Sequence, residues 1–365
     1  MNILIFDATP HWSGGANRIL LYSRELIKLG HSVTVCCLPG SGLSSRLPKE
    51  NIPAITINPK SDLNLLIIPK LIQLIIKNNI DVIDICSPKF YWVASLAGRI
   101  ANKTVMLTRN VPYRKKGIKK LVNKILYAKL VDRIIAVSDK IKRELIEDFN
   151  IPDHKITVIY DGIDLLRFPL QKTNNTTDKP EQYVLAVISR LDGNKGLECF
   201  VNAIPKIIQQ IGPILFMIVG TGSIEQKLKE LTKKLNLSDK VLFTGFRKDI
   251  PEILSGVDIT VMPSPEEGMS MSALESMASC KPVVATSGSG LSDVIINKKS
   301  GMIVQPNDSN ELAEGVVKLL QSDYKQAGRE ARKIVEEKFA LQTVVAQYEI
   351  LVKTITNQFS PNTKA

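Results

Sequence analysis

Two carboxylates carry the clearest chemical signal in this chain. Glu267 and Glu275 lie in the stretch Pro265-Glu266-Glu267-Gly268-Met269-Ser270-Met271-Ser272-Ala273-Leu274-Glu275, with a glycine directly after the first. Ionised carboxylates are pure acceptors, and a pair of them suits the hydroxyls of a ribose or a hexose. An apolar, strand-like run at 258–262 precedes them, and a helix-like run at 273–279 follows. Glu267 is therefore expected on a loop at the carboxyl end of a strand, and Glu275 in the first turns of the next helix. Ligands bind at that edge of open α/β sheets, because strand ends and helix N-termini converge there. Ser272 with Glu275 also fits a capping box, which leaves Glu275 a purely local role.

Cations that match these acids lie upstream. Ser189-Arg190-Leu191-Asp192-Gly193-Asn194-Lys195-Gly196 follows a strand-like run. A glycine turn with a forked Arg and a point-charge Lys suits a diphosphate, although a solvated loop would read the same way. Val219-Gly220-Thr221-Gly222-Ser223 follows the next strand and opens a helix, with Ser223 as the expected N-cap. It lacks the third glycine of a dinucleotide fingerprint. Phe243-Thr244-Gly245-Phe246 ends a third strand. Phe246 either offers an aromatic face to a base or fills the core.

The first half holds a second set. Thr9-Pro10-His11-Trp12-Ser13-Gly14-Gly15-Ala16 leads from the first strand into a helix. Adjacent glycines allow close backbone approach, and the helix N-terminus favours negative charge. Thr108-Arg109-Asn110 ends another strand. The following segment carries Arg114, Lys115, Lys116, Lys119, Lys120, Lys124 and Lys129 without an acid, and apolar residues recur at helical spacing. That is a basic amphipathic helix, expected either on anionic lipid or as an ordinary solvated helix. Nucleic acid is not expected, since no aromatic interleaving accompanies the charge.

The charge is lopsided in the same direction. Residues 1–170 hold 25 Lys and Arg against 14 Asp and Glu, a net of +11, while the remainder holds 23 against 22, a net of +1. The five cysteines show no metal-ligand spacing and read as reduced thiols. No secretory leader is expected at Met1, which opens a strand. The apolar run 63–76 contains Pro69, Lys70 and Gln73, and reads as a buried amphipathic helix rather than a membrane span.

Strand-like and helix-like runs alternate through both halves. That argues for an α/β chain with two Rossmann-like domains. The polar stretch 169–182 separates them as a linker. The expected domains are 1–168 and 183–340, with a terminal helical segment 341–365.

Arg190 and Lys195 after a strand, Gly220-Thr221-Gly222, Thr244-Gly245-Phe246, and Glu267 with Glu275 together resemble the retaining glycosyltransferases of family 4. Gly14-Gly15 and the run Val158-Ile159-Tyr160-Asp161-Gly162-Ile163-Asp164 are similar to the family's N-terminal half. The resemblance spans nearly the whole chain. It implies the GT-B fold, with two domains facing across a cleft and the last helix crossing back to the first domain. It implies a donor site of Arg190, Lys195, Gly220, Gly222, Phe246, Glu267, Gly268, Met269, Ser270 and Glu275. Arg190 and Lys195 would hold the diphosphate, Glu267 would contact the transferred sugar, and Glu275 would hold the ribose. Gly14, Gly15, Arg109 and Asn110 fall on the acceptor or donor-sugar side. No cofactor or metal is expected; the donor is a UDP- or GDP-linked sugar. The acceptor would be a glycan or lipid-linked glycan, at the cytoplasmic face of an anionic membrane. Asn110 stands where many relatives have His, Asp161 where the usual residue is Asn, and Gly268-Met269-Ser270 where Gly-Phe-Gly is commoner. A sugar-nucleotide epimerase of the same fold is the alternative enzyme, although only three His are present. A non-catalytic partner of an active transferase is the third reading.

Overall fold

The computed structural model describes residues 1–61, 63–110, 118–170 and 182–359, with residues 118, 119 and 359 described by backbone alone. Most of the expected linker (171–181), together with Arg114, Lys115 and Lys116, lies outside the described residues. The chain forms two compact units. One comprises Met1–Gly162 and Leu341–Ala365, the other Ile163–Ala340. Residues 163–168 thus go with the second unit.

The first unit is a seven-stranded parallel sheet. Its strands are β1 (Asn2–Phe6), β2 (Ser32–Cys37), β3 (Ala54–Thr56), β4 (Val82–Ile85), β5 (Thr104–Arg109), β6 (Arg133–Ala136) and β7 (Ile156–Val158). The spatial order is β3-β2-β1-β4-β5-β6-β7. Ile3, Leu4, Ile5 and Phe6 are all buried, as a strand covered on both faces requires. The chain runs outward from β1 to β3, then returns and runs from β4 to β7. Right-handed crossovers therefore place α1 (Gly14–Lys28) on one face of the sheet. They place α2 (Ile68–Lys77), α3 (Tyr91–Ile100), α4 (Ile118–Ile125) and α5 (Asp139–Phe149) on the other. The C-terminal helix (Leu341–Phe359) joins α1: Tyr22 and Tyr348 meet edge to face at 5.7 Å.

Two details of this unit depart from the sequence reading. The run 63–76 is an amphipathic α-helix only from Ile68, and it is partly rather than fully buried. Only Leu71 and Ile75 of α2 are buried, whereas Leu63, Leu65, Leu66 and Ile76 are exposed. Helix α2 buries one stripe, with Ile68, Ile72 and Leu74 half-buried beside it, while Leu63, Leu65 and Leu66 precede the helix and stand outside that stripe. The helix expected at 118–130 is α-helical to Ile125 and then winds as a π-turn, Leu126–Leu130. Lys155 Nζ closes that turn by donating to the carbonyls of Ala128 (2.6 Å) and Val131 (3.1 Å).

The second unit is a six-stranded parallel sheet of β8 (Tyr183–Ile188), β9 (Ile214–Val219), β10 (Val241–Gly245), β11 (Ile259–Met262), β12 (Val283–Thr286) and β13 (Gly301–Val304). The order is β10-β9-β8-β11-β12-β13. Helices α6 (Leu197–Ile211), α7 (Glu225–Lys234), α8 (Ile250–Ser255), α9 (Met271–Ala278), α10 (Ser309–Gln321) and α11 (Tyr324–Lys338) connect and flank the strands. The direction of winding reverses between β8 and β11. Loops diverge there at the carboxyl edge and leave a crevice.

Asp84 tethers the C-terminal helix to the first sheet. It is buried, and its two oxygens accept from Thr108 Oγ1 (2.7 Å) and Tyr348 Oη (3.0 Å). Tyr348→Phe leaves one buried oxygen unpaired, and should lower unfolding stability by about 1–3 kcal/mol in urea titration. An unchanged midpoint would show that the tether contributes nothing.

Candidate active site

The site is built where β8, β9, β11 and β12 end. After β8, the chain passes Arg190 and Asp192, turns through Gly193–Lys195, and enters α6 at Gly196. Gly196 has φ +67, and a side chain there would collide with the Pro263 carbonyl after β11. A Cβ on Gly220 would strike the Ser189 carbonyl, and one on Gly222 the Leu191 carbonyl. These glycines let main chain pack on main chain, so the loops after β8, β9 and β11 share one small region.

Lys195 and Glu267 meet within it. Lys195 Nζ donates to Glu267 Oε1 at 2.7 Å, with both side chains mostly buried. The sequence separates them by 72 residues. Glu267 is also held through its backbone, which bridges in parallel to Ser289. Its carbonyl accepts from Gly290 N at 3.0 Å. Gly288 permits that approach, because a Cβ would collide with the Pro265 carbonyl. The loop Ser287-Gly288-Ser289-Gly290 after β12 was not among the expected site residues. Its small, alternating composition was the available signal.

Arg190 is exposed and pairs with Asp192 at 2.8 Å. Asp192 in turn accepts from Ser223 Oγ at 3.4 Å. Ser223 therefore does not cap α7, whose N-cap position is Ile224 with no side-chain bond. Phe246 follows β10 and is 57% exposed, so it is not a core residue. Gly220 N donates to Gly245 O at 2.8 Å, which sets Phe246 beside the glycine turn after β9.

The loop from Gly268 to Ser270 is buried and turns its side chains inward. Ser270, not Ser272, caps α9 by accepting from Ala273 N. The expected capping box is therefore absent, and Glu275 sits a turn inside the helix without a capping bond. Burial pushes its carboxyl up to about 7, against a smaller pull downward from Arg167. A hydroxyl donating to it, or a cation beside it, would favour its ionised form.

In the first unit, Ser13 caps α1 by accepting from Ala16 N at 3.2 Å. Gly14 and Gly15 open this helix, and a Cβ on Gly15 would press on Asn110 Nδ2 at 3.3 Å. Asn110 Oδ1 is buried with no hydrogen-bond partner among the described residues. Arg109 is different. It is buried at the end of β5, near Glu144 (3.7 Å), Tyr127 (3.3 Å) and the Phe149 ring (5.2 Å). Its guanidinium packs α5 and the π-turn and is not offered to a ligand. Lys120 of the basic helix pairs with Asp148 at 3.2 Å, and Lys124 is half-buried. The Lys119 side chain lies outside the described residues.

The sequence matches two family models. The Glycosyltransferase Family 4 model covers residues 12–167, and the Glycosyl transferases group 1 model covers 171–337. The chain belongs to glycosyltransferase family 4. Its relatives include the N-acetylgalactosamine-N,N'-diacetylbacillosaminyl-diphospho-undecaprenol 4-alpha-N-acetylgalactosaminyltransferase of Campylobacter jejuni. That protein is 26% identical over 85% of this chain and 88% of its own length. An uncharacterized glycosyltransferase of Methanocaldococcus jannaschii is 30% identical over 59% of this chain and 58% of its own length. Among solved structures, a Rickettsia africae glycosyltransferase superposes with a TM-score of 0.84 at 26% identity, covering 97% of this chain and 98% of that one. Anabaena HepE in complex with UDP superposes at 0.84 with 19% identity, covering 97% and 100%. The fold is thus the two-domain α/β GT-B fold of this glycosyltransferase family.

Glu275 makes stability depend on pH. Its folded value of about 7 lies above the ordinary 4.5. Below the ordinary value both folded and unfolded states are protonated. As pH rises through that window the unfolded chain ionises first, so stability falls until the folded group also ionises. Glu275→Gln escapes this loss. Its stability relative to the parent should rise by roughly 2 kcal/mol between about pH 5 and pH 8, read from urea melts. A difference independent of pH would contradict the burial of this carboxyl.

Proposed function

We propose that this glycosyltransferase moves a sugar from a nucleotide-sugar donor to a lipid-linked, lipopolysaccharide-type or polysaccharide acceptor. The transfer occurs at the cytoplasmic face of a membrane, with retained anomeric configuration. The observation that carries the reading is the Lys195–Glu267 pair at the switch point of the second sheet, beside the N-terminus of α9. Lys195 and Arg190 each already hold a carboxylate, which supports reading both as the cations of the donor site. On donor binding they turn to the diphosphate, and Glu267 turns to the hydroxyls of the transferred sugar. Glu275 accepts from the ribose, which favours its ionised form and releases its proton. Phe246 offers an exposed ring to the base.

The chemistry is a same-face substitution. The bond from C1 to the phosphate oxygen breaks as the bond from C1 to the acceptor oxygen forms. The acceptor proton passes to the departing phosphate oxygen. Asn110 cannot shuttle a proton, but its unpartnered Oδ1 can accept from a sugar hydroxyl. Positive side chains and the helix N-terminus stabilise the charge on the leaving diphosphate. UDP is the nucleotide to test first: the HepE structure contains it, and an Escherichia coli relative is named as using UDP-Gal. Acceptors on diphosphoundecaprenol, in the names of the Escherichia coli and Campylobacter jejuni relatives, support a lipid-linked substrate.

Purified protein should consume UDP- or GDP-sugar in the presence of a lipid-diphosphate glycan. Arg190→Ala and Lys195→Ala should fold normally and lose about 2–4 kcal/mol of transition-state stabilisation, tens to hundreds of fold in kcat/KM. Full activity in both variants would refute the assignment. Transfer should also persist in EDTA, because the cations do a metal's work. Loss in EDTA with recovery in Mg²⁺ or Mn²⁺ would overturn that part of the mechanism.

A further inference from the structure

The helices α2, α3 and α4 contain no Asp or Glu. They lie side by side on one face of the first sheet: α2 packs on α3, and α3 on the π-turn that continues α4. The face they form, with the turn Leu65–Ile67 that leads into α2, exposes large apolar residues among lysines. Leu66 is 91% exposed, Ile100 64%, Leu121 61% and Ile76 59%. Leu65 and Ile125 are exposed as well, and Trp92 and Leu96 are half-buried. The spacing is helical on each element. Pro69, Gln73 and Ile76 form one line on α2, as do Trp92 and Leu96 on α3 and Leu121 and Ile125 on α4, while Leu65 and Leu66 lie in the turn just before α2. Such a face is costly in water, and a solvated layer ordinarily mixes both signs of charge.

The charged residues within these helices are all basic, with Lys120 paired to Asp148 of α5. Lys70, Lys77, Lys89 and Lys129 are exposed. Helix α5, which follows, carries Asp139, Glu144, Glu147 and Asp148 and ends the acid-free region. Arg99 is neutralised by Asp132 at 2.7 Å, so it belongs to the fold rather than to the face. Among the described residues no helix is long and apolar enough to cross a membrane.

We propose that the outer face of α2, α3 and α4 lies flat on an anionic lipid surface, with Leu65 and Leu66 entering the acyl boundary. The inference rests on the membrane reading above and assigns it a three-helix surface with inserting residues. Apolar contact supplies depth, and lysines supply charge that salt screens. No spanning segment is needed.

Co-sedimentation of the full chain with vesicles tests it. The protein should bind phosphatidylglycerol-containing vesicles and not pure phosphatidylcholine. Leu65→Ser/Leu66→Ser should weaken binding about tenfold per leucine removed from the lipid. Lys70→Gln/Lys77→Gln/Lys89→Gln should weaken it too and flatten its salt dependence. Ile350→Ser, an exposed apolar residue on the C-terminal helix of the opposite layer, should change nothing. Transfer to a water-soluble acceptor should stay at the parental rate in all variants. The proposal is overturned if the leucine variant binds as the parent does. It is also overturned if Ile350→Ser loses as much, or if light scattering shows the leucines holding two copies together. Absent transfer to any acceptor, with the vesicle pattern intact, would remove the proposed activity and leave this face standing.

Discussion

Main chain packed directly on main chain is the constraint on which the ligand edge of the second unit depends. Gly196, Gly220, Gly222 and Gly288 each lie where a side chain would strike a neighbouring carbonyl. Together they draw the ends of β8, β9, β11 and β12 into one crevice. Lys195 directly precedes one of these glycines, and Glu267 is bonded to the loop that contains another. Adding a single methyl at Gly220 or Gly288 would push two loops apart and separate the functional groups they carry.

The charges then follow from that packing. Lys195 and Glu267 neutralise one another, as do Arg190 and Asp192. Each pair keeps ionised groups in place at modest cost, because each is partly solvated and hydrogen-bonded. Glu275 forms no such ion pair among the described residues, and burial outweighs the pull of Arg167 and raises its pKa. One edge thus carries cations and carboxylates side by side.

Much of this arrangement was legible in the sequence. The β/α alternation gave two doubly wound units, and motif order gave the residues at strand ends. What escaped was tertiary. Ser270 and Ser272 are equally plausible caps by type, and only the observed start of α9 decides between them. Ser223 reads as a cap, yet its hydroxyl faces Asp192 across the glycine turn. The loop at Gly288 matters only because Pro265 lies against it. Arg109 ends a strand as a ligand residue would, but the aromatic and acidic side chains of α5 and the π-turn claim it. Residues 63–76 show the opposite error. Hydropathy suggested burial, whereas the surrounding helices leave half of those side chains in water.

The central claim is that the Lys195–Glu267 pair marks the donor site, with the diphosphate on Lys195 and the ribose on Glu275. A crystal structure of the protein with bound UDP tests this most directly. The account predicts diphosphate oxygens within hydrogen-bond distance of Lys195 and Arg190, ribose hydroxyls on Glu275, and the uracil beside Phe246. A nucleotide seated away from the β8–β11 switch point, with the Lys195–Glu267 contact undisturbed, would contradict it.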